Sequence, residues 1–362
     1  MRRVTPLELA IAGAAGFAAG GINALAGGGT LVSFPVLLAL GLPPVSANVT
    51  NTVALSPGYL GGALAQREAV VDQRARVRRL ALASAISTKL RLVIDCANGS
   101  GGMAAARILE ATGAHVEVLF NDPDGNNINA GCGATAPGAL ACEVLARGAD
   151  VGFALDGDAD RLIAVDAAGN VVDGDAVLGV LALDRLARNS LPNGALVVSI
   201  LSNGGLQKTV EDAGGQVIRT PVGDKYIFEG MLVNGAGLGG EKSGHVIILE
   251  HATSGDGIVT ALEILAVMSR TGRSIADLAT QVPMLPQQQR ATPARHKDQW
   301  EGDPVIRKAI ARAESRLGPE GRIIVRPSGT EPSIRVMVEG REPDLVAQLA
   351  DELAALAGER LN

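Results

Sequence analysis

The charged residues of this chain are very unevenly distributed. No Asp, Glu, Lys or Arg occurs from Leu9 to Gln66, whereas almost all of the remaining sequence alternates charged and apolar residues as a soluble protein does. A membrane-spanning helix requires roughly 20 mostly apolar residues, so this stretch is long enough for more than one membrane segment. We therefore predict a transmembrane helix over about residues 6–25 and further membrane-embedded segments over about 30–42 and 46–66.

Basic residues flank the apolar segment on both sides. Arg2 and Arg3 precede it, and the residues that follow it include Arg67, Arg74, Arg76, Arg78 and Arg79. Because Lys and Arg are enriched on the cytoplasmic side of membranes, both flanks are predicted to be cytoplasmic. The predicted location is the membrane, with the following domains in the cytoplasm, or the cytoplasm alone if the apolar segment does not insert. A basic amphipathic helix without topological meaning is the alternative for the flanks.

Net charge and cysteine content bear on the partners and the compartment of the protein. The formal net charge of −6 gives no general reason to expect nucleic-acid binding. Cys96, Cys132 and Cys142 lack the paired spacing of metal or disulfide frameworks, which is consistent with a reducing cytoplasm. The oligomeric state does not follow from the sequence.

Three carboxylates are packed into a short loop between two apolar runs. Asp156, Asp158 and Asp160 alternate with the small residues Gly157 and Ala159. Carboxylates this close repel one another unless a cation neutralises them, and oxygen ligands favour a hard divalent metal such as Mg²⁺. We predict a Mg²⁺ site that serves catalysis on an anionic substrate. A solvated acidic turn is the alternative.

From about Thr88 the sequence has an α/β pattern. Leu90–Asp95 is a predicted strand, a glycine turn and the predicted helix Met103–Thr112 follow, and His115–Phe120 is the next strand. This βαβ order predicts a parallel sheet with functional loops at the carboxyl ends of its strands, where the acidic loop also lies. A second unit opens at about Ala195–Ile200, and a last region is predicted as a hairpin followed by a helix from Pro343.

The turn of the last hairpin is a candidate phosphate site. Backbone N–H groups around Ser328, Gly329 and Thr330 are suited to an anion-binding nest, and Arg326 and Arg335 supply guanidinium groups for phosphate oxygens. An ordinary hairpin turn rich in Pro, Ser and Gly is the alternative.

A glycine-flanked loop is a candidate sugar site. Glu241, Ser243 and His245 alternate along a predicted short extended segment, which would place them on one side to bind hydroxyl groups. Asp224 and Lys225, which follow Gly223, are a weaker signal, and a plain connecting loop is the alternative.

The segment before the last hairpin is unusual in two ways. Pro283 to Pro304 is predicted to be a hinge between the last two domains. Within it, Gln287 to Pro293 is polar where an apolar first strand of the last domain is expected.

The apolar segment resembles the start of the TauE/SafE family of sulfite and organic-anion exporters. The resemblance covers roughly residues 7–85, and it rests on Gly16 to Thr30, Phe34-Pro35 and Ala47 to Ala54. Transporters built from repeats place their substrate between two halves, and this segment stops before a second repeat. The resemblance implies a transporter fragment that does not transport by itself.

The remainder, about residues 88–362, resembles the α-D-phosphohexomutases, and most closely those that act on glucosamine phosphates. Six motifs occur in the family's order: Asp95 to Gly99, Pro123 to Asn129 with Cys132-Gly133, Asp156 to Arg161, Val222 to Tyr226, Gly240 to His245, and Arg326 to Pro332. The implied fold is two α/β domains followed by a C-terminal α+β domain. We expect the boundaries 1–86 for the TauE/SafE-like segment, then 87–188, 189–285 and 286–362 for phosphohexomutase domains II, III and IV.

The resemblance implies a Mg²⁺-dependent interconversion of glucosamine 6-phosphate and glucosamine 1-phosphate through a phosphoserine. It assigns the metal to Asp156, Asp158 and Asp160. It assigns the substrate to Arg161, Gly223, Asp224, Lys225, Glu241, Ser243 and His245. It assigns the phosphate that does not react to Arg326, Ser328, Gly329, Thr330 and Arg335.

The sequence departs from the family pattern at several places. The phosphoserine motif of the family's first domain is not found, and the TauE/SafE-like segment stands where that domain is expected. Ala134 and Ala136 replace the usual Ser and His, and Lys242 stands where Gln is common. The resemblance therefore predicts an impaired enzyme with no catalytic serine. A non-catalytic, membrane-anchored sugar-phosphate binder and an accidental fusion of two gene fragments are the alternatives.

Overall fold

A computed structural model describes residues 30–39, 89–329 and 331–362 of the chain. The chain divides into two units, Met1–Arg76 and Val77–Asn362. In the first unit the described residues form helix α1 (Thr30–Ala39), which contains Pro35. The membrane segments predicted over 6–25 and 46–66 lie outside the described residues. No helix among the residues that the structure describes is both long enough and apolar enough to span a membrane.

The second unit opens with a mixed five-stranded sheet of order β2-β1-β3-β4-β5. Its strands are β1 (Arg91–Asp95), β2 (His115–Leu119), β3 (Val151–Leu155), β4 (Leu162–Asp166) and β5 (Val171–Val172). Strands β2, β1 and β3 are parallel, and β4 and β5 continue the sheet in antiparallel pairing. Helix α2 (Gly102–Glu110) connects β1 to β2, and α3 (Gly138–Arg147) precedes β3. The predicted βαβ unit is confirmed, with small shifts of its boundaries.

The next sheet repeats this plan with four strands in the order β7-β6-β8-β9. Its strands are β6 (Ala195–Ser199), β7 (Gln216–Thr220), β8 (Leu238–Gly240) and β9 (Val246–Ile248). The helices of this region are α4 (Gly174–Ala187), α5 (Gly204–Asp212), α6 (Asp224–Asn234), α7 (Gly257–Thr271) and α8 (Ile275–Ala279). Strands β7, β6 and β8 are parallel, and β9 is antiparallel to β8.

One apolar core joins the two sheets. Side chains of the first sheet, such as Phe153, belong to the same buried cluster as Leu196 of the second sheet and Leu262 of α7. Helix α7 contacts β3 and β4 of the first sheet as well as β9 of the second. Burial of apolar side chains contributes roughly 25 cal/mol per Å², so a continuous core fixes the loops of the two sheets relative to each other.

A third, antiparallel sheet of order β10-β12-β11 forms the last part of the chain. It contains β10 (Gln287–Pro293), β11 (Arg322–Pro327) and β12 (Ser333–Glu339), with α9 (Pro304–Leu317) and α10 (Pro343–Leu361) packed on it. The predicted final hairpin and helix are confirmed.

The hinge prediction for Pro283 to Pro304 is wrong over most of its length. Gln287–Pro293 pairs with Ser333–Glu339 as a full strand, and a short 3₁₀ helix follows at Lys297–Gly302. Strand β10 lies at the sheet edge and is only partly buried, which explains how a polar sequence forms it. Pro286 and Pro293 lie at the two ends of this strand and do not mark a flexible linker.

Candidate functional site

The acidic loop connects β3 to β4 in a tight hairpin. Leu155 and Leu162 form the last cross-strand pair before the loop. Within the loop, Ala159 has a φ of 62°, a left-handed conformation that is uncommon for a residue with a Cβ and that marks a tight turn. One carboxylate oxygen from each of Asp156, Asp158 and Asp160 lies within 4.8 Å of the others. The predicted convergence of the three acids is confirmed.

The electrostatics of the acidic loop fit a divalent cation. Burial, together with Asp160 and Asp158, raises the pKa of Asp156 to about 6, and burial also raises the pKa of Asp160. Arg161 is the nearby counter-charge, with its Nε 3.5 Å from Asp156 Oδ2 and 3.6 Å from Asp160 Oδ1. Asp160 Oδ1 is buried without a hydrogen-bond partner. Three acids that share one arginine retain negative charge for an oxygen-loving metal ion.

The candidate sugar loop is a hairpin between β8 and β9. The Glu241 N–H donates to His245 O at 3.0 Å and the Gly244 N–H donates to Glu241 O at 3.0 Å, so the segment is a turn. The predicted extended segment is therefore wrong, although Ser243 remains exposed and Glu241 half-buried. The strand-like alternation failed as a signal because glycines at the ends of the motif permit a reversal of the chain.

The side chain of His245 is buried, unlike those of Glu241 and Ser243 in the same motif. Its side chain is 6% exposed, and its Nε2 accepts a hydrogen bond from the Gly255 N–H at 3.2 Å. Burial lowers the pKa of His245, which favours the neutral ring. Its Nε2 also lies 3.6 Å from Asp160 Oδ2, so the ring sits between the sugar loop and the acidic loop.

The sugar loop and the acidic loop are hydrogen-bonded to each other. The Leu162 N–H donates to Gly244 O at 3.0 Å, and Arg161 and His245 form an isolated antiparallel bridge. Gly244 has a φ of 94°, and a Cβ at this position would lie 2.3 Å from Leu162 O. Only glycine permits this close approach, so the two loops form one continuous edge.

Glu241 also recruits the loop at the start of α6. Its Oε1 accepts the Gly223 N–H at 3.0 Å, and Gly223 has a φ of 129°. Asp224 and Lys225 follow as the first residues of α6 and are exposed, with Lys225 Nζ 3.8 Å from Glu229 Oε1. The structure therefore brings Gly223 against Glu241, whereas Asp224 and Lys225 face solvent nearby.

The candidate phosphate loop is the turn between β11 and β12. Arg326 and Arg335 are direct cross-strand partners, so two guanidinium groups share one face of the hairpin. Burial first, and then the neighbouring Arg335, lowers the pKa of Arg326. Arg335 Nη2 lies 3.4 Å from Glu331 Oε2 at the exposed end of the turn. Adjacent cations of this kind attract an anion with two or more oxygens.

The turn differs from the predicted nest at one amide. The Ser328 N–H donates to Ser333 O at 2.9 Å, and the Ser328 hydroxyl accepts from the Glu331 N–H at 3.3 Å. The Ser328 amide is thus already used, and its hydroxyl hydrogen remains as a donor. Gly329 lies in the turn, and Thr330 lies outside the described residues.

Two contacts around these loops were not predicted. Lys297 donates from Nζ to Ser328 O and, at 2.9 Å, to Glu331 O, so it ties the two sides of the phosphate turn together. Lys242 of the sugar loop donates to Gln287 Oε1 of β10 at 2.9 Å. Lys297 belongs to no motif, so nothing in the sequence indicated its role. Two features of the sequence could have indicated the contact between Lys242 and Gln287: lysine stands at position 242 where Gln is common, and the strand that begins at Gln287 is unexpectedly polar.

Comparison with known protein families agrees with this architecture. Consecutive parts of the chain match the models for the phosphoglucomutase/phosphomannomutase α/β/α domain II (residues 71–169), α/β/α domain III (173–284) and C-terminal domain (289–356). The chain belongs to this family of phosphohexomutases. Residues 12–90 match the sulfite exporter TauE/SafE model, as the resemblance of the first segment predicted.

The chain is similar to curated phosphoglucosamine mutases. It is 48% identical over 268 residues to that of Moorella thermoacetica, covering 74% of this chain and 60% of the relative. It is 44% identical over 304 residues to that of Symbiobacterium thermophilum, covering 84% of this chain and 68% of the relative. The chain thus spans about 60% of the length of several of the curated relatives that it matches.

Solved structures share the fold. A phosphoglucomutase/phosphomannomutase family protein from Burkholderia thailandensis has a TM-score of 0.66 at 25% identity, over 80% of this chain and 65% of that chain. The Aspergillus fumigatus N-acetylphosphoglucosamine mutase, solved with GlcNAc-6P and magnesium, has a TM-score of 0.67 at 20% identity. That comparison covers 80% of this chain and 65% of the fungal chain, and it concerns the fold alone.

Proposed function

We propose that this chain binds a hexosamine phosphate and Mg²⁺ as a phosphoglucosamine mutase does, and that the reaction it supports is the interconversion of glucosamine 6-phosphate and glucosamine 1-phosphate. The observation that carries the proposal is the hydrogen-bonded edge formed by the acidic loop and the sugar loop. An acidic cluster that attracts a metal lies directly beside groups suited to hydroxyls. The similarity to curated phosphoglucosamine mutases selects glucosamine phosphate among the hexose phosphates.

In this proposal the metal ligands are Asp156, Asp158 and Asp160. Bound Mg²⁺ would supply electrostatic stabilisation of the negative charge on the phosphoryl group in transfer. Arg161 lies against two of the acids and is suited to hold a phosphoryl oxygen at the same edge. Asp160 Oδ1 is buried with no hydrogen bond and only the 3.6 Å contact to Arg161 Nε, so a bound cation would supply the partner that it lacks.

The sugar is assigned to the second sheet. Glu241 and Ser243 would accept and donate hydrogen bonds to hydroxyl groups, and Gly223, Asp224 and Lys225 would line the same side. The Glu241 carboxylate is held by the Gly223 N–H, so one oxygen is fixed while the other remains for the ligand. His245 would keep the sugar loop close to the acidic loop through its buried ring.

The distal phosphate is assigned to the third sheet. Arg326 and Arg335 present their guanidinium groups on one face, with the hydroxyl hydrogen of Ser328 and the turn residues Gly329 and Thr330 completing the set. Bidentate guanidinium contacts select a planar arrangement of phosphate oxygens and would hold the end of the sugar phosphate that does not react.

We also propose that turnover by this chain is low. The matched models cover domains II to IV, and residues 12–90 match the sulfite exporter TauE/SafE model. A positioned nucleophile splits a difficult step into two easier ones, and binding groups do not replace it. The domain limits 1–86, 87–188, 189–285 and 286–362, and a cytoplasmic position of the mutase-like domains, are part of the same proposal. Fractionation of cells tests whether the first segment attaches them to a membrane.

A mutase assay on the purified full-length chain tests the proposal. Glucosamine 6-phosphate is supplied with Mg²⁺ and a catalytic amount of glucose 1,6-bisphosphate, and binding is followed in parallel by calorimetry. Binding of glucosamine 6-phosphate with slow turnover is the expected result. Rapid turnover would refute the proposed impairment, and absence of both binding and turnover would refute the function.

A further inference from the structure

The side chain of Gln287 joins three parts of the second unit. Its Oε1 accepts from Lys242 Nζ at 2.9 Å, and its Nε2 donates to Leu201 O at 2.9 Å and to Glu339 Oε2 at 3.0 Å. Lys242 belongs to the sugar loop, Leu201 follows β6, and Glu339 ends β12. Both ends of one amide are therefore used to connect the second and third sheets.

Glu339 anchors this connection in the interior. Its side chain is 1% exposed and lies 3.2 Å from Arg322 Nη2. Its Oε1 also accepts the Gly204 N–H at 3.0 Å, at the amino-terminal end of α5. A buried carboxylate that meets a guanidinium and a helix amino terminus is strongly held, because removal of either partner would leave a charge without compensation. Gln287 is thus attached to a fixed point.

The third sheet connects Gln287 to the candidate phosphate turn between β11 and β12. Gln287 pairs with Glu339 at one end of the β10-β12 ladder, and Pro293 pairs with Ser333 at the other. Ser333 begins β12 directly after the phosphate turn.

Arg322 of β11 also donates to Ile200 O at 2.8 Å and to Ser202 O at 2.7 Å, so several contacts connect the second and third sheets. Gln287 is the member of this set that contacts the sugar loop itself, through Lys242, and the β10-β12 ladder joins it to the phosphate turn.

We propose that Gln287 is a positioning residue that fixes the span between the sugar loop and the phosphate turn. A ligand that carries hydroxyls and a phosphate at one fixed separation then contacts both loops at once. The inference rests on the proposed function for the identity of that ligand. It also gives a reason for glutamine at the start of β10: Lys242 Nζ lies 3.7 Å from Asp173 Oδ2 and donates a second, shorter contact to Gln287.

The first test compares two ligands on the full-length protein. Glucosamine 6-phosphate needs both loops, whereas inorganic phosphate needs the phosphate turn alone. Gln287→Met keeps the side-chain length and removes the amide. It is expected to weaken glucosamine 6-phosphate binding about tenfold in calorimetry while changing phosphate binding less than about twofold. Gln289→Met, an exposed glutamine on the same strand, is the matched control and should change neither. Equal loss of both ligands, or no loss, would overturn the proposal.

An exchange of the two partners separates positioning from simple structural damage. Gln287→Glu places a carboxylate against Glu339 and should weaken glucosamine 6-phosphate binding as Gln287→Met does. The double variant Gln287→Glu with Glu339→Gln restores one donor and one acceptor between the two positions. It is expected to recover at least part of the affinity. A double variant that binds glucosamine 6-phosphate no more tightly than Gln287→Glu would contradict the assigned contact.

If the unmodified protein binds no glucosamine 6-phosphate, the proposed function is refuted but the positioning role of Gln287 is not. A measurement without ligand then tests whether Gln287 fixes the separation between the two domains. Spin labels at Val233→Cys on α6 and Lys308→Cys on α9, in a Cys142→Ser background, report the distance between the two domains. Val233 and Lys308 are exposed. Gln287→Met should broaden the distance distribution, and Gln289→Met should not. An unchanged distribution in Gln287→Met would refute the positioning role.

Discussion

The acidic loop and the sugar loop are built on the same backbone plan but differ in how much negative charge they hold together. Each lies in an antiparallel hairpin that extends a parallel sheet, β3-β4 in one and β8-β9 in the other. In the sugar loop, Glu241 and His245 each accept a backbone N–H, from Gly223 and Gly255 respectively.

The acidic loop, by contrast, holds three carboxylates around one arginine. Asp160 Oδ1 is buried without a hydrogen bond, 3.6 Å from Arg161 Nε, and burial together with the neighbouring acids raises the pKa of Asp156. His245 Nδ1 in the sugar loop is also buried without a hydrogen bond, but burial lowers the pKa of His245 and so favours an uncharged ring. The concentration of like charge fits the acidic loop to a cation, whereas the sugar loop holds a single carboxylate, in keeping with the neutral hydroxyl groups proposed for it. Two variants test this comparison directly, and two others test related electrostatic effects elsewhere in the second unit.

The largest expected effect is on the contact that joins the two hairpins. Gly244→Ala would place a Cβ 2.3 Å from Leu162 O at a backbone φ of 94°. Strain and collision together should lower the free energy of unfolding by about 3 kcal/mol or more, measured by urea denaturation. Gly272→Ala is the control, since its φ of 66° is also positive but no atom lies within 4 Å of the added Cβ. If both variants lower the free energy of unfolding equally, the contact between Gly244 and Leu162 has no special role in stability.

Removal of one acid should abolish tight metal binding. Asp158 is the exposed member of the triad, so Asp158→Ala is expected to leave the fold intact. Loss of one of three charged ligands should weaken Mg²⁺ or Mn²⁺ binding about 100-fold, or about 2.7 kcal/mol, in calorimetry. Asp298→Ala, at an exposed aspartate outside the triad, is the control. Unchanged affinity in Asp158→Ala would show that the acidic loop is not the metal site.

A buried acid outside the triad gives a pH test of the same principle. Burial, then the neighbouring Asp173, raises the pKa of Asp175 to about 6. The folded protein therefore holds this proton more tightly than the unfolded chain, and stability is lost as pH rises from about 4 through about 6.

Asp175→Asn should remove this dependence of stability on pH. The Asn203 N–H donates to Asp175 Oδ2 at 2.8 Å, and the amide oxygen of the new asparagine can accept the same hydrogen bond. From pH 4 to pH 7 the unfolding free energy of the variant should rise relative to the unmodified protein by about 2 kcal/mol. Urea titrations at the two pH values measure the difference. A constant difference would mean that Asp175 titrates normally in the folded state.

The weakest effect is expected at the candidate phosphate turn between β11 and β12. Lys297 holds Ser328 O and Glu331 O on the two sides of that turn. Lys297→Met should weaken inorganic phosphate binding about tenfold, or about 1.4 kcal/mol, because the turn loses both its tie and a nearby positive charge.

Lys297→Arg should recover part of this loss, since a guanidinium also donates to two carbonyls. Lys308→Met, at an exposed lysine on α9, is the control for net charge. If Lys297→Met and Lys308→Met lower the affinity equally, Lys297 acts only through long-range charge.

The elements near the candidate site were predictable to different degrees. Repulsion among Asp156, Asp158 and Asp160 is a local property, and their close spacing alone predicted the cluster that the structure contains. The alternation of Glu241, Ser243 and His245 was misleading, because local polarity does not distinguish a short strand from a glycine-flanked turn. The hinge prediction at Pro283 to Pro304 failed for a related reason: an edge strand tolerates a polar sequence that a central strand does not.

Local sequence patterns were sufficient to predict the order of the α/β units, the acidic loop and the arginine-flanked turn, since each depends on residues close together along the chain. Three kinds of contact are visible only in the folded chain: Gly244 against Leu162, Lys297 across the phosphate turn, and Gln287 with both Lys242 and Glu339. Such contacts join residues far apart in the sequence. They exist because the shared core and the ladder of the third sheet bring them together, and no local pattern of residue types encodes that approach.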